Sequence, residues 1–92
     1  MGCSGRAMAR SVFTVAYQSF IRGLIEARKS AGVTQVELAG RVAKPQSFIS
    51  KVERCERRLD VIEFCAIARA IGTEPERLLG SILDGLTGDL LI

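Results

Sequence analysis

A chain of 92 residues, 48% of them hydrophobic, holds one domain with one modest core and leaves no room for a separate catalytic domain. Its net charge of +3 is unevenly placed: residues 1–59 carry eleven Lys/Arg against four Asp/Glu, whereas residues 60–92 carry two against six. That asymmetry suits one face to a polyanion. No apolar run approaches the roughly 18 residues of a membrane span, and Met1–Arg10 has no apolar signal segment, so no membrane partner is expected and the cytoplasm is the expected location.

Residues 1–13, rich in Gly, Ser, Ala and Arg, read as a disordered N-terminal segment. A first helix is predicted from Val15 to Ala31 with Thr14 as N-cap. Its apolar residues Tyr17, Phe20, Ile21, Leu24 and Ile25 share one helical face, and Gly32 can close it in a left-handed conformation. A second helix opens with a capping box, Thr34 and Glu37. Val36, Leu38, Ala39 and Val42 are its expected buried face. Ala43, Lys44 and Pro45 form a tight turn, because proline disfavours helical backbone in the residue before it. The third helix starts at Pro45 or Gln46 and runs to about Arg54, with Ile49 and Val52 inward. A loop from Cys55 to Leu59 carries Arg57 and Arg58. The fourth helix opens with a second box, Asp60 and Glu63, and runs to Ile71 with Val61, Phe64, Ile67, Ala68 and Ile71 as its stripe. After Gly72, Thr73 and Glu76 suggest a third box, and a fifth helix continues to about Leu83. No period-2 run is long enough for a strand. The fold class is therefore all-α with five helices, organised as a segment 1–13, a domain 14–83 and an apolar tail 84–92.

Catalysis is not expected. There is no histidine to act as the commonest general base, no Gly-rich phosphate loop and no nucleophile–base pair. Cys3, Cys55 and Cys65 are odd in number and unpaired in spacing, and they supply too few ligands for zinc. They are expected to be reduced structural thiols, with no metal or cofactor.

Two short helices joined by about three residues, the second following proline, make a helix-turn-helix. Close crossing of the second and third helices needs a small residue at the contact, and Ala39 supplies it. With Ile49 and Val52 turned in, the outer side of the third helix carries Gln46, Ser47, Ser50 and Lys51 and is free to enter a major groove. Phe48 lies between the two sides, where it either packs on the earlier helices, the favoured reading, or touches a thymine methyl.

The stretch from Leu24 to Leu79 resembles the Cro/lambda-repressor type of helix-turn-helix domain, the Xre family, in the combination EARKSAGVTQVELA, PQSFISKVE and IARAIG. The resemblance implies a five-helix fold whose second and third helices read DNA, usually in a dimeric repressor or activator. It implies base contacts from Gln46, Ser47, Ser50 and Lys51. Phosphate contacts would come from Thr34, Gln35, Lys44, Arg54, Arg57 and Arg58. Arg28 and Glu53 match a structural ion pair that ties the first helix to the end of the third. The family usually has glycine where this chain has Ala43 and Cys55, so both are expected to sit in a left-handed backbone, and glycine at either site is expected to raise the melting temperature.

The tail is rich in aliphatics at helical spacings. Leu79, Ile82, Leu83, Leu86 and Leu90 are the expected dimer interface, although a tail folded back on its own domain would use the same residues. The function expected is sequence-specific binding of double-stranded DNA by a homodimer on a palindromic operator, as a transcription regulator and most simply a repressor. No small-molecule effector is expected, because no effector domain is present. The alternative is an antitoxin-like or coactivator-like protein-interaction adaptor on the same fold.

Overall fold

The computed structural model describes residues 14–86. Five helices follow one another, with no strand among the described residues: α1 (Val15–Ser30), α2 (Gln35–Arg41), α3 (Gln46–Glu53), α4 (Val61–Ala70) and α5 (Pro75–Asp84). No described helix is long and apolar enough to cross a membrane. The expected helix limits agree with these to about one residue, because the cap chemistry was visible. Thr14 accepts from the backbone of Tyr17, and both boxes, Thr34/Glu37 and Asp60/Glu63, form in full.

The third box does not form. Pro75 occupies the first helical position of α5, so Glu74 becomes the N-cap, no side chain caps the helix, and Thr73 lies one residue too early. The fixed φ of proline suits the first turn and sets where the helix begins.

The first four helices all end in the same way. Each has a residue of positive φ just past its C-cap, with two backbone bonds reaching back to the last turn. Gly32 (φ 74) and Gly72 (φ 90) do this after α1 and α4, and Ala43 (φ 58) and Cys55 (φ 59) after α2 and α3. After α2, Ala43 N–H donates to the Gly40 carbonyl at 3.2 Å and Lys44 N–H to that of Ala39 at 2.9 Å. After α3, Cys55 N–H donates to the Val52 carbonyl at 3.1 Å and Glu56 N–H to that of Lys51 at 2.8 Å. The left-handed backbone expected at Ala43 and Cys55 is thus present.

The core joins Ile21 and Leu24 of α1, Leu38 and Ala39 of α2, Ile49 and Val52 of α3, Phe64, Ile67 and Ala68 of α4, and Leu78 and Ile82 of α5. α1 packs on α3 and α5, α2 on α3 and α4, and α4 on α5. Ala39 is buried, as a close crossing of α2 and α3 requires. Two expected core residues are not there. Val36 is exposed because it lies two residues, about 200° of rotation, from Leu38. Val61 has the inward angle but stands in the first turn of α4, a full turn before the first buried residue, Phe64.

The close approach of α5 to α1 depends on Gly23. A Cβ there would lie 2.9 Å from Cγ1 of Ile82. Ile82 is consequently buried against α1, which removes it from the expected dimer interface. Leu79 and Leu83 do face outward, at 38% and 43% exposure, and Leu86 is half-buried. Leu90 lies outside the described residues, as does the N-terminal segment 1–13.

Candidate nucleic-acid interface

α3 is anchored by Ile49 and Val52, each 1% exposed, so its orientation is fixed by the core. Gln46, Ser47 and Lys51 are exposed on its outer side and Ser50 is half-buried beside them. The segment expected to project outward therefore does so.

A chain of hydrogen bonds fixes the start of this surface. Arg28, buried on α1, grips Glu53 at the end of α3 through two bonds, from Nε at 2.7 Å and Nη2 at 2.9 Å. Its Nη1 donates to the Val33 carbonyl at 2.9 Å, just before α2. The same Glu53 accepts from Gln35 Nε2 at 2.8 Å, and Gln35 Oε1 accepts from Gln46 Nε2 at 3.2 Å. One buried guanidinium thus ties together α1, the start of α2 and both ends of α3. The ion pair Arg28–Glu53 was expected, whereas its extension through Gln35 to Gln46 was not. The signal was available in the sequence as two glutamines at the first positions of adjoining helices, but their facing each other depends on the crossing angle.

A rim of cations surrounds α3. Lys44 precedes it, and Arg54, Arg57 and Arg58 follow it. Arg54 is committed to Glu56 through Nε and Nη2, both 3.1 Å, and to Ser50 Oγ through Nη1 at 2.8 Å. That pair holds the Glu56 carboxyl below its ordinary range. Arg57 pairs with Glu63 through two bonds of 2.9 Å and stacks on Phe48, its Cζ 4.6 Å from the ring centroid. Glu63 is held below the usual carboxylate range by Arg57 first and by the backbone N–H of Asp60 second. Arg58 stacks on Tyr17 at 4.6 Å. The Tyr17 hydroxyl accepts from the Leu59 backbone N–H at 3.0 Å and so pins the loop to α1. Burial pushes the Tyr17 phenol above its ordinary value, partly offset by that bond.

Thr34 is exposed, its hydroxyl occupied by the Glu37 backbone N–H. Phe48 is half-buried and packs against the core, as favoured. Cys55 is buried and Cys65 half-buried, and no cluster of metal-binding side chains occurs among the described residues.

A helix-turn-helix family model matches residues 24–78, well over half of the chain. An XRE-family-like protein from Pseudomonas syringae pv. tomato is 49% identical and superposes with a TM-score of 0.74, covering 82% of this chain and 92% of that one. The chain belongs to the Xre family of helix-turn-helix proteins.

This Xre-family protein is thereby placed among DNA-binding transcription regulators. It is also similar to the restriction-modification controller protein C.AhdI from Aeromonas hydrophila, at 30% identity and a TM-score of 0.60, over 65% of this chain and 91% of that one. The clp gene regulator ClgR from C. glutamicum shares the fold, with a TM-score of 0.70 at 19% identity over 80% of this chain and 96% of that one. No curated protein matches the sequence.

Beyond the expected set, the structure adds Tyr17, Phe48 and Glu63 to the surroundings of α3. It also adds Arg41, whose Nη1 donates to the Ala70 carbonyl at 2.8 Å and covers the end of α4. The sequence marks Glu63 only as half of a capping box and Phe48 only as a packing residue; their contacts with Arg57, like those of Tyr17 and Arg41, cross gaps in sequence that only the packing closes.

Proposed function

We propose that this Xre-family protein represses transcription by occupying a palindromic operator as a homodimer, with α3 in the major groove. The observation that carries the reading is the outward face of α3 held from below by Arg28, Glu53 and Gln35. Gln46 gives one amide hydrogen to Gln35, which leaves Oε1 and a second N–H, the acceptor and donor that pair with N6 and N7 of adenine. Ser47 and Lys51 stand on the same face to read neighbouring bases, and lysine suits guanine O6/N7. Thr34 and Gln35 at the start of α2, together with Lys44, Arg57 and Arg58, meet phosphates. Arg54, already bonded to Glu56 and to Ser50, and Ser50, which accepts from it, contribute less than their positions in sequence suggest.

Leu79 and Leu83, with Leu86, form the two-fold contact. A dimer would set its reading helices about 34–36 Å apart, one turn of DNA. The controller role in the name of the Aeromonas hydrophila protein supports the regulator part of the reading.

Titration of a short mixed-sequence duplex at several salt concentrations, read by fluorescence anisotropy, tests the electrostatic part. About six phosphate contacts per dimer predict a slope of log K against log salt near −5. An affinity indifferent to salt contradicts the reading. Sedimentation at micromolar concentration should show a dimer that Leu83→Glu converts to monomer, and a wild-type monomer removes the dimeric part.

A further inference from the structure

Phe48 is the one aromatic residue of α3, and base reading gives it no task. Its ring carries two cations from opposite ends of that helix: Arg57 Cζ at 4.6 Å and Lys44 Nζ at 5.5 Å from the centroid. Arg57 is constrained further. Its Nη1 donates to Glu63 Oε1 at 2.9 Å and to the Arg58 carbonyl at 2.8 Å, and its Nη2 donates to Glu63 Oε2 at 2.9 Å. A guanidinium has five N–H donors in one plane. These three bonds use both hydrogens of Nη1 and one of Nη2. The remaining two, on Nε and Nη2, lie side by side along the other edge and make no hydrogen bond among the described residues. Phe48 lies against the guanidinium, 4.6 Å from Cζ to the ring centroid, and the side chain is 42% exposed, so solvent reaches the group that carries the two unused donors. Arg54 is the contrast, since its Nε/Nη2 edge is filled by Glu56.

An open two-donor edge of fixed direction matches two oxygens of a phosphate. We propose that Phe48 and Glu63 are positioning residues that hold Arg57 as a ready-made fork for a DNA backbone phosphate, with Lys44 as a second cation on the same ring. The pairing of Arg57 with a carboxylate therefore aims the guanidinium and does not silence it. Holding the side chain in place beforehand spares the ordering cost that a free arginine meets on binding. This inference rests on the DNA-binding reading.

The test compares Phe48→Leu, Phe48→Tyr and Arg57→Lys by anisotropy with the same mixed-sequence duplex over a range of salt, folding being checked by circular dichroism. Phe48→Leu changes no charge. It should nevertheless weaken binding about 3- to 10-fold and make the salt slope shallower by about 0.9 to 1.8, the loss of one phosphate contact per subunit in part or in full. Phe48→Tyr should retain both quantities. Arg57→Lys, which keeps the charge but loses the fork and the planar face, should weaken binding by a similar factor without touching the core. In an Arg57→Ala background, Phe48→Leu should cost less than twofold further. An unchanged slope in folded Phe48→Leu, an equal loss in both backgrounds, or full affinity in Arg57→Lys overturns the proposal while leaving DNA binding intact. A wild-type protein that binds no duplex overturns the DNA-binding reading itself, and this inference with it.

Discussion

Ala43 and Cys55 adopt nearly the same strained backbone, with φ of 58° and 59°, yet replacement by glycine should affect them differently. A side chain in the left-handed region costs about 1–2 kcal/mol. Glycine removes that cost but loosens the unfolded chain, which returns about 0.4–1 kcal/mol. Ala43 is exposed, so nothing else is lost. Ala43→Gly should therefore stabilise the protein by about 0.5–1 kcal/mol, a rise of roughly 2–8 °C in Tm for a domain of this size. Cys55 is 7% exposed and belongs to the core cluster. Removing its CH2–SH gives up about 1–2 kcal/mol of burial and packing. Cys55→Gly should thus leave Tm unchanged or lower it, contrary to the rise that the sequence alone suggests. Thermal melts followed by circular dichroism, with urea titrations to check that the m-value is constant, measure both. A fall in Tm for Ala43→Gly, or a larger rise for Cys55→Gly than for Ala43→Gly, would refute the reasoning.

Arg28→Met should cost about 3–5 kcal/mol, because it leaves Glu53 charged, only 8% exposed in its side chain and without its main partner. Urea denaturation measures that loss. Stability should depend on pH at both extremes. Glu37, Glu56 and Glu63 are held below their ordinary 4.5, by the Thr34 backbone, Arg54 and Arg57 respectively. Their contribution is therefore complete above about pH 4.5 and is lost as pH falls through the lowered values. Tyr17, raised from 10.0, contributes below about pH 10 and ceases to as pH rises through its folded value. With no histidine in the chain, a melting series should find no step between about pH 5 and 8 of the kind a histidine gives. A midpoint near pH 6.5 would show that another group is coupled to folding.

Much of the fold was legible because the chain marks its own helix ends. Thr34/Glu37 and Asp60/Glu63 state where α2 and α4 begin, and Gly32 and Gly72 state where α1 and α4 stop. The Thr73/Glu76 pattern misled because Pro75 fixes its own φ and sets the start of α5 one residue later. Ile82 was misassigned for a related reason. Its spacing with Leu79, Leu83 and Leu86 suggests a shared outward face, but Gly23 on α1 opens a place for it 59 residues away in the chain. The outer face of α3 followed from helical geometry once Ile49 and Val52 were turned inward. What supports that face was out of reach: Gln35 to Gln46, Arg57 to Phe48 and Tyr17 to Leu59 are contacts between elements, and each depends on distances that periodicity does not contain.

On the proposed reading, Gln46, held by Gln35, contacts a base from the exposed side of α3. Selection of bound duplexes from a random pool, run in parallel with the wild-type protein and Gln46→Ala, tests it most directly. The wild type should enrich an inverted repeat with half-site centres about one helical turn apart, including an adenine at one position of each half-site. Gln46→Ala should lose the preference at that position and keep the others. Enrichment of no motif by the wild type, or of an unchanged motif by Gln46→Ala, would contradict the claim.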